Sequence, residues 1–238
     1  IAEKPNEFNL LLERKGDGLQ GLKDPRFGLI PSPVDNSHLL KQFLPVSTRT
    51  ETKNATDPVY DLRDYGRVTS VKNQGSCGCC WAFTAIASVE SSLMPGETND
   101  LSENNLKNLH GFQWGHCSGG NADMAAAYFM RWNGPVNEAD DPYNASNSTS
   151  LTFPAVKHVK NFLSVSSASI TSIKEAIVEH GVVFADMYFD DPYFKSSTNG
   201  YYYSGSEIIN HAISIVGWDD KYSKTNFNTA PANNGAWI

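Results

Sequence analysis

The densest chemistry in the chain lies in Gln74-Gly75-Ser76-Cys77-Gly78-Cys79-Cys80-Trp81-Ala82-Phe83. Cys80 stands where a loop passes into the start of an apolar helix. Free backbone N–H groups at a helix start favour an anion, so a thiolate there is stabilised and its pKa is expected to fall. A thiolate at neutral pH is a strong nucleophile. The glycines allow the backbone to approach a substrate closely. Upstream, Gln74 carries an amide that can donate to a developing oxyanion, together with the backbone N–H of Cys80.

A nucleophilic cysteine also needs a base. The six histidines are His38, His110, His116, His158, His180 and His211. His180 ends a helix before glycine, His110 and His116 fall in a loop, and His158 lies near a strand start. His211 differs, because it opens the apolar run Asn210-His-Ala-Ile-Ser-Ile-Val-Gly-Trp218. That places an imidazole at the rim of a sheet.

Helices and strands must hold these groups. Cys80–Leu93 reads as a helix stopped by Pro95-Gly96, and Asp100 with Glu103 as a capping pattern that opens a short helix to Leu109. Asn121–Trp132 is an Ala-rich third helix. Ser172-Ile-Lys-Glu175 is a capping box opening a helix that ends at His180-Gly181. Strands are expected over Val182–Tyr188, Gly200–Tyr203, Ala212–Trp218 and Gly235–Ile238. Helices followed by strands imply an α+β chain in two segregated halves, with a cleft between them as the natural place for a site. Residues 1–58 differ in texture. They hold half of the twelve prolines, one expected helix over Glu7–Arg14, an extended piece over Phe27–Val34 and a polar linker over Ser47–Asp57.

Composition bounds these readings. With 238 residues, 26.2 kDa and 40% hydrophobic residues, the chain can bury a real core. Nineteen basic against 26 acidic residues, net −7, argue against a nucleic-acid partner. No apolar run reaches the ~18 residues of a membrane span. Ile1-Ala2-Glu3-Lys4-Pro5 lacks the layout of a signal peptide. Four cysteines are too few for a disulfide scaffold, and three of them lie within Cys77–Cys80. Cys77 and Cys80 form a C-x-x-C pattern, as in a thiol–disulfide oxidoreductase, but no βαβ pattern precedes it. A zinc site from Cys77, Cys79, Cys80 and His116 or Cys117 is cramped, so neither metal nor cofactor is expected.

Val59-Tyr-Asp-Leu-Arg-Asp-Tyr-Gly-Arg-Val-Thr-Ser-Val-Lys-Asn-Gln-Gly-Ser-Cys-Gly-Cys-Cys-Trp-Ala-Phe83 resembles the start of mature papain-like cysteine peptidases. Leu101-Ser-Glu-Asn-Asn-Leu106, Cys117-Ser-Gly-Gly120 and Asn210-His-Ala212 follow in that family's order. Glu-Ser-Ser-Leu after the active helix and Gly-Trp-Asp-Asp in the sheet half are most similar to prokaryotic members. The resemblance covers residues 59–238. It implies a papain-like two-lobed α+β fold: a helical lobe over 59–165 and an antiparallel, barrel-like lobe over 166–238.

It also implies roles. Cys80 is the nucleophile, His211 the base that forms a thiolate–imidazolium pair, and Gln74 part of the oxyanion hole. Cys77 and Cys117 form a disulfide, exposed and suited to an oxidising compartment. Gly119 and Gly120 offer backbone hydrogen bonds to an extended substrate, with Asn210, Ala212 and Asp186 as further substrate-binding residues. Asp186, on a wall of the specificity pocket, either favours a basic side chain or points away. Residues 1–58 become an inhibitory pro-segment with Leu29, Ile30, Pro31, Ser32 and Pro33 in the cleft; the alternative is an extra surface layer. The expected partners are protein or peptide substrates and the chain's own pro-segment, and the expected location is secreted or cell-surface.

Two departures stand out. Cys79 replaces a usual serine and is read as inert, with a redox brake as the alternative. The Asn that orients the histidine would follow Ile238 in an Asn-Ser-Trp-Gly motif, so catalysis by residues 1–238 alone is expected to be impaired. That keeps open a non-catalytic peptide-binding homologue. Asn54, Asn144 and Asn147 head N-glycosylation sequons. Asp190-Asp191 and Asp219-Asp220 read as solvated turns, and Tyr201-Tyr-Tyr203 as sheet packing.

Overall fold

The computed structural model describes residues 24–35 and 55–238. The helix expected over Glu7–Arg14 and most of the Ser47–Asp57 linker lie outside the described residues.

Helix α1 (Cys80–Leu93) runs as expected. It stops at Met94, whose backbone is extended (φ −81°, ψ 151°), before Pro95, which has no N–H with which to continue the helix. Helix α2 (Glu103–Leu109) is capped by Ser102, whose Oγ accepts the Asn105 N–H at 3.0 Å. Asp100 is therefore not the cap; it pairs with Lys72 Nζ at 2.8 Å. Asn121 caps α3 (Ala122–Met130) by accepting the Met124 N–H at 3.0 Å. Helix α4 (Ile170–His180) starts earlier than its sequence signal. Ser169 is the cap, accepting the Ser172 N–H at 3.2 Å, so Ser172 lies inside the first turn.

The strands are short. They are β1 (Val59–Asp61), β2 (Val183–Met187), β3 (Phe194–Lys195), β4 (Gly200–Tyr201), β5 (His211–Ile215), β6 (Gly217–Asp219) and β7 (Ala236–Trp237). All pairings between them are antiparallel: β2 with β5, β3 with β4, and β6 with both β1 and β7. The single strand expected over Ala212–Trp218 is two. At Val216 the chain changes partner: its N–H donates to Ile238 O at 2.7 Å and its carbonyl accepts the Leu62 N–H at 2.9 Å. Val59–Asp61, grouped by sequence with the helical half, crosses to the sheet half and pairs with β6. Asp220, expected to be solvated, receives Lys174 Nζ at 2.7 Å.

Among the described residues, two apolar cores result. One gathers Trp81, Ile86, Leu101, Leu106, Met124 and Tyr128 around α1, α2 and α3. The other gathers Tyr60, Leu62, Ile177, Val182, Ile215 and Trp218 between α4 and the strands. Helix α1 belongs to both halves, packing on α2 and α3 on one side and on β5 and β2 on the other. Its first residue therefore lies where the halves meet.

Leu106 and Ile177 are fully buried, one in each core. Leu106→Ala and Ile177→Ala should each cost about 2–5 kcal/mol in chemical denaturation, from lost transfer energy and the cavity left behind. Because the residues lie in separate cores, the double variant should lose about the sum. A clear shortfall from additivity would show that the two cores behave as one.

Candidate active site

The start of α1 brings several amides to the Cys80 sulfur. Cys79 sits at the cap position and supplies no side-chain cap bond, leaving the helix-start N–H groups uncapped by a side chain. From the opposite lobe, the Ala212 N–H donates to Cys80 Sγ at 3.4 Å. The N–H groups of Gly28 and Trp81 also act on the sulfur and favour its anion. Burial outweighs them. Cys80 is 2% exposed, and its thiol is pushed above the ordinary cysteine value. The helix start alone would lower this pKa, as expected from sequence; burial of the sulfur reverses the direction.

His211 is the first residue of β5, opposite Met187 on β2, and directly precedes the Ala212 that touches the sulfur. Aromatic rings enclose it: Phe27 lies edge-on at 5.4 Å and Phe189 at 6.0 Å between centroids. Among the described residues, its buried Nδ1 has no hydrogen-bond partner. Burial, and then the positive charge of Arg26, push its pKa down. Thiol and imidazole are thus each held towards their neutral forms.

Residues 24–35 cover this corner. Leu29 N–H donates to Asn210 O at 3.0 Å, on the sheet side. On the helical side, Gly120 N–H donates to Gly28 O and Ile30 N–H to Gly120 O, both at 2.9 Å. Leu29 and Ile30 are each 1% exposed. The backbone lies so close at Gly28 that a Cβ there would fall 2.0 Å from Gly78 O. Gly119 makes no such bond; its positive φ of 101° and bare Cα leave room for the Ile30 side chain. Pro31, Ser32 and Pro33 are half-buried as the chain climbs away, and Ser32 Oγ donates to Asp123 at the start of α3. At the other end Arg26 bridges Asp24 at 2.6 Å and Asp191 at 2.9 Å, so Asp191 is ion-paired, though sequence had it as a solvated turn residue. The Arg26 carbonyl accepts Gln74 Nε2 at 2.7 Å, which occupies the very amide expected to serve an oxyanion.

The remaining expected residues fall around this centre. Cys77 and Cys117 are disulfide-bonded. The bridge is not exposed, since Cys77 is 1% exposed. With Cys77 and Cys117 joined to each other, neither the C-x-x-C redox pair nor the zinc cluster can form. Cys79 Sγ lies 3.2 Å from Tyr143 Oη, and burial pushes its thiol up to about 12. Asp186 faces Ala212 in the β2–β5 register. Lost hydration, with the charge of Asp123, raises its carboxyl to about 6. The Asn210 side chain clamps the Phe189 backbone, accepting its N–H at 2.7 Å and donating to its carbonyl at 2.9 Å. Tyr201 and Tyr203 pack on Phe189 and Tyr188, in keeping with a packing role. Sequence reasoning missed Arg26, Phe27, Phe189 and Tyr143. Each lies in irregular chain, where no periodicity marks a buried face.

This geometry has relatives. The family model for papain family cysteine proteases matches residues 57–237. The chain is 34% identical to stem bromelain of Ananas comosus over 164 residues, covering 66% of this chain and 75% of that protein. It is 32% identical to cathepsin S of Bos taurus over 171 residues, covering 66% of this chain and 50% of the relative. The chain thus spans about half the length of several curated relatives it matches. Among solved structures, the cysteine protease and lectin-like domains of Cwp84, a surface layer associated protein of Clostridium difficile, superpose with a TM-score of 0.73 at 27% identity. The match covers 98% of this chain and 52% of that one. With the family model spanning residues 57–237, the chain belongs to the papain family of cysteine proteases.

Proposed function

We propose that this protein is a cysteine endopeptidase held in a latent form, with the segment around Gly28–Ile30 acting as its own inhibitor. The observation that carries the reading is the Ala212 N–H on Cys80 Sγ, which joins the residue after His211 to the sulfur. Once the segment leaves, burial at both groups is relieved. The Cys80 proton then passes to His211, giving a thiolate and an imidazolium.

The thiolate attacks the scissile carbonyl carbon, and an S–C bond forms. Gln74 Nε2 and the Cys80 N–H receive the oxyanion. The imidazolium proton goes to the departing amine as the C–N bond breaks, leaving a thioester. His211 then takes a proton from water, whose oxygen attacks the thioester carbon and releases the acid and the Cys80 thiolate. An extended substrate would take over the backbone groups of Gly120 and Asn210 that now hold the segment. Asp186, at the register position of Ala212, would favour a basic side chain nearby.

Residues 1–58 are read as pro-segment, 59–165 as the helical lobe and 166–238 as the sheet lobe. The protein is placed outside the cell or at its surface. The Cys77–Cys117 bridge suits an oxidising compartment, and the relative Cwp84 is a surface layer associated protein. No helix among the described residues is long and apolar enough to cross a membrane.

The test is peptide hydrolysis by the full-length polypeptide. Cys80→Ala or His211→Ala should each lower kcat by about 10⁴-fold or more; activity retained by either would refute the assignment. Gly28→Val should raise the basal activity of the latent form, because the added side chain meets the Gly78 backbone. An unchanged basal rate would separate the segment from inhibition. The raised Cys80 and lowered His211 pKa values also fix a pH signature. While the segment is seated, iodoacetamide should label Cys80 slowly at neutral pH, because the thiol is covered and held above its ordinary value. After its release, labelling should already be fast near pH 6–7. Identical profiles before and after release would contradict this account of latency.

A further inference from the structure

We infer that Tyr143 is a positioning residue for Gln74, joined to the start of α1 through the Cys79 thiol; this rests on Gln74 serving the oxyanion. Tyr143 Oη lies 2.6 Å from the Gln74 carbonyl oxygen and 3.2 Å from Cys79 Sγ. A carbonyl can only accept, so the phenol proton goes to Gln74 O. The Tyr143 oxygen then accepts the Cys79 S–H. A relay of two bonds thus runs from the residue beside the nucleophile to the backbone of the residue that holds the oxyanion amide. Burial keeps both donors protonated, raising the Cys79 thiol to about 12 and Tyr143 above its ordinary value.

The relay has a fixed base. The Tyr143 N–H donates to Glu138 Oε1 at 2.6 Å. Phe83, on α1, meets its ring edge to face at 4.8 Å between centroids, and Lys107 Nζ lies 5.7 Å from the ring centre. Within the loop the Gln74 amide also donates to the Cys77 carbonyl at 3.0 Å, so Tyr143 holds the backbone of Gln74 while Cys77 holds its side chain. Gly75 follows in a left-handed turn (φ 60°), where only the Asn73 side chain accepts its N–H, at 2.8 Å. An oxyanion donor works only if it is already aimed when charge develops, and misplacement of about 1 Å is costly. Tyr143 therefore sets where Gln74 points without touching the substrate.

The test is a double-mutant cycle in the activated full-length enzyme on a peptide amide. Tyr143→Phe should lower kcat about tenfold with KM within about twofold. It should weaken a peptide aldehyde by a similar factor, since the hemithioacetal oxygen uses the same donors. The iodoacetamide rate at Cys80, which forms no oxyanion, should stay within about twofold. Gln74→Ala should lose about 10²-fold in kcat, and Q74A/Y143F should be no worse than Q74A alone. Additive losses, or an iodoacetamide rate that falls with kcat, would overturn the inference by making Tyr143 a support of the helix start. A kcat unchanged in Y143F while Q74A is crippled would overturn it and leave the endopeptidase reading intact. A harmless Q74A would remove the oxyanion role of Gln74 and the inference together. Should Y143F fail to fold, Cys79→Ala probes the other end. A kcat loss of about threefold, regained in Cys79→Ser, supports the relay, and equal rates in the two overturn it.

Discussion

One contact between the lobes organises the molecule: the Ala212 N–H on Cys80 Sγ. Its donor belongs to a strand that is anchored by β2, and its acceptor to the first residue of the helix shared by both cores. The sulfur of Cys80 arrives with α1 and the imidazole of His211 with β5, and the two elements pack directly on each other. That explains why α1 carries apolar and small residues towards both sides rather than one stripe. It also explains why β5 must end at Ile215 and hand the chain to β6. The change of partner at Val216 ties the histidine strand to β1, β6 and β7 without extending it past the cleft.

The covering segment acts on the same contact from above. It makes backbone bonds to each lobe, through Gly120 and Asn210, and its Arg26 spans to Asp191. Backbone bonds to both walls explain the need for close approach, and the Gly28–Gly78 contact supplies it with two residues that lack a Cβ. The chemical consequence is electrostatic. Excluding water from a thiol and an imidazole opposes charge on both, and Arg26 adds to that for the imidazole. The exposed ion pairs of Arg26 contribute little binding energy by themselves. The hold lies in the buried Leu29 and Ile30 and in the shared backbone bonds.

Much of the architecture was legible from the residues. Helix α1 and its stop at Met94-Pro95 and the α4 terminus at Gly181 follow from local chemistry that acts within a turn. Local signals failed where two caps competed. Asp100 and Ser172 both carry capping side chains, but Lys72 holds the first and Ser169 precedes the second. The break at Val216 was invisible because the apolar run continues through it; only the distant partners Leu62 and Ile238 interrupt the strand.

By itself the sequence determined which atoms can react. A thiol at a helix start, an imidazole opening a strand, an amide upstream and glycines between them are properties of residue type and near neighbours. Tertiary structure alone decided their state. The pKa of Cys80 depends on what covers it, that of Cys79 on its burial beside the Tyr143 phenol, and the Gln74 carbonyl is held by a tyrosine far along the chain. Burial and hydrogen-bond partners are set by contacts between segments remote in sequence, and no local pattern of residues records them.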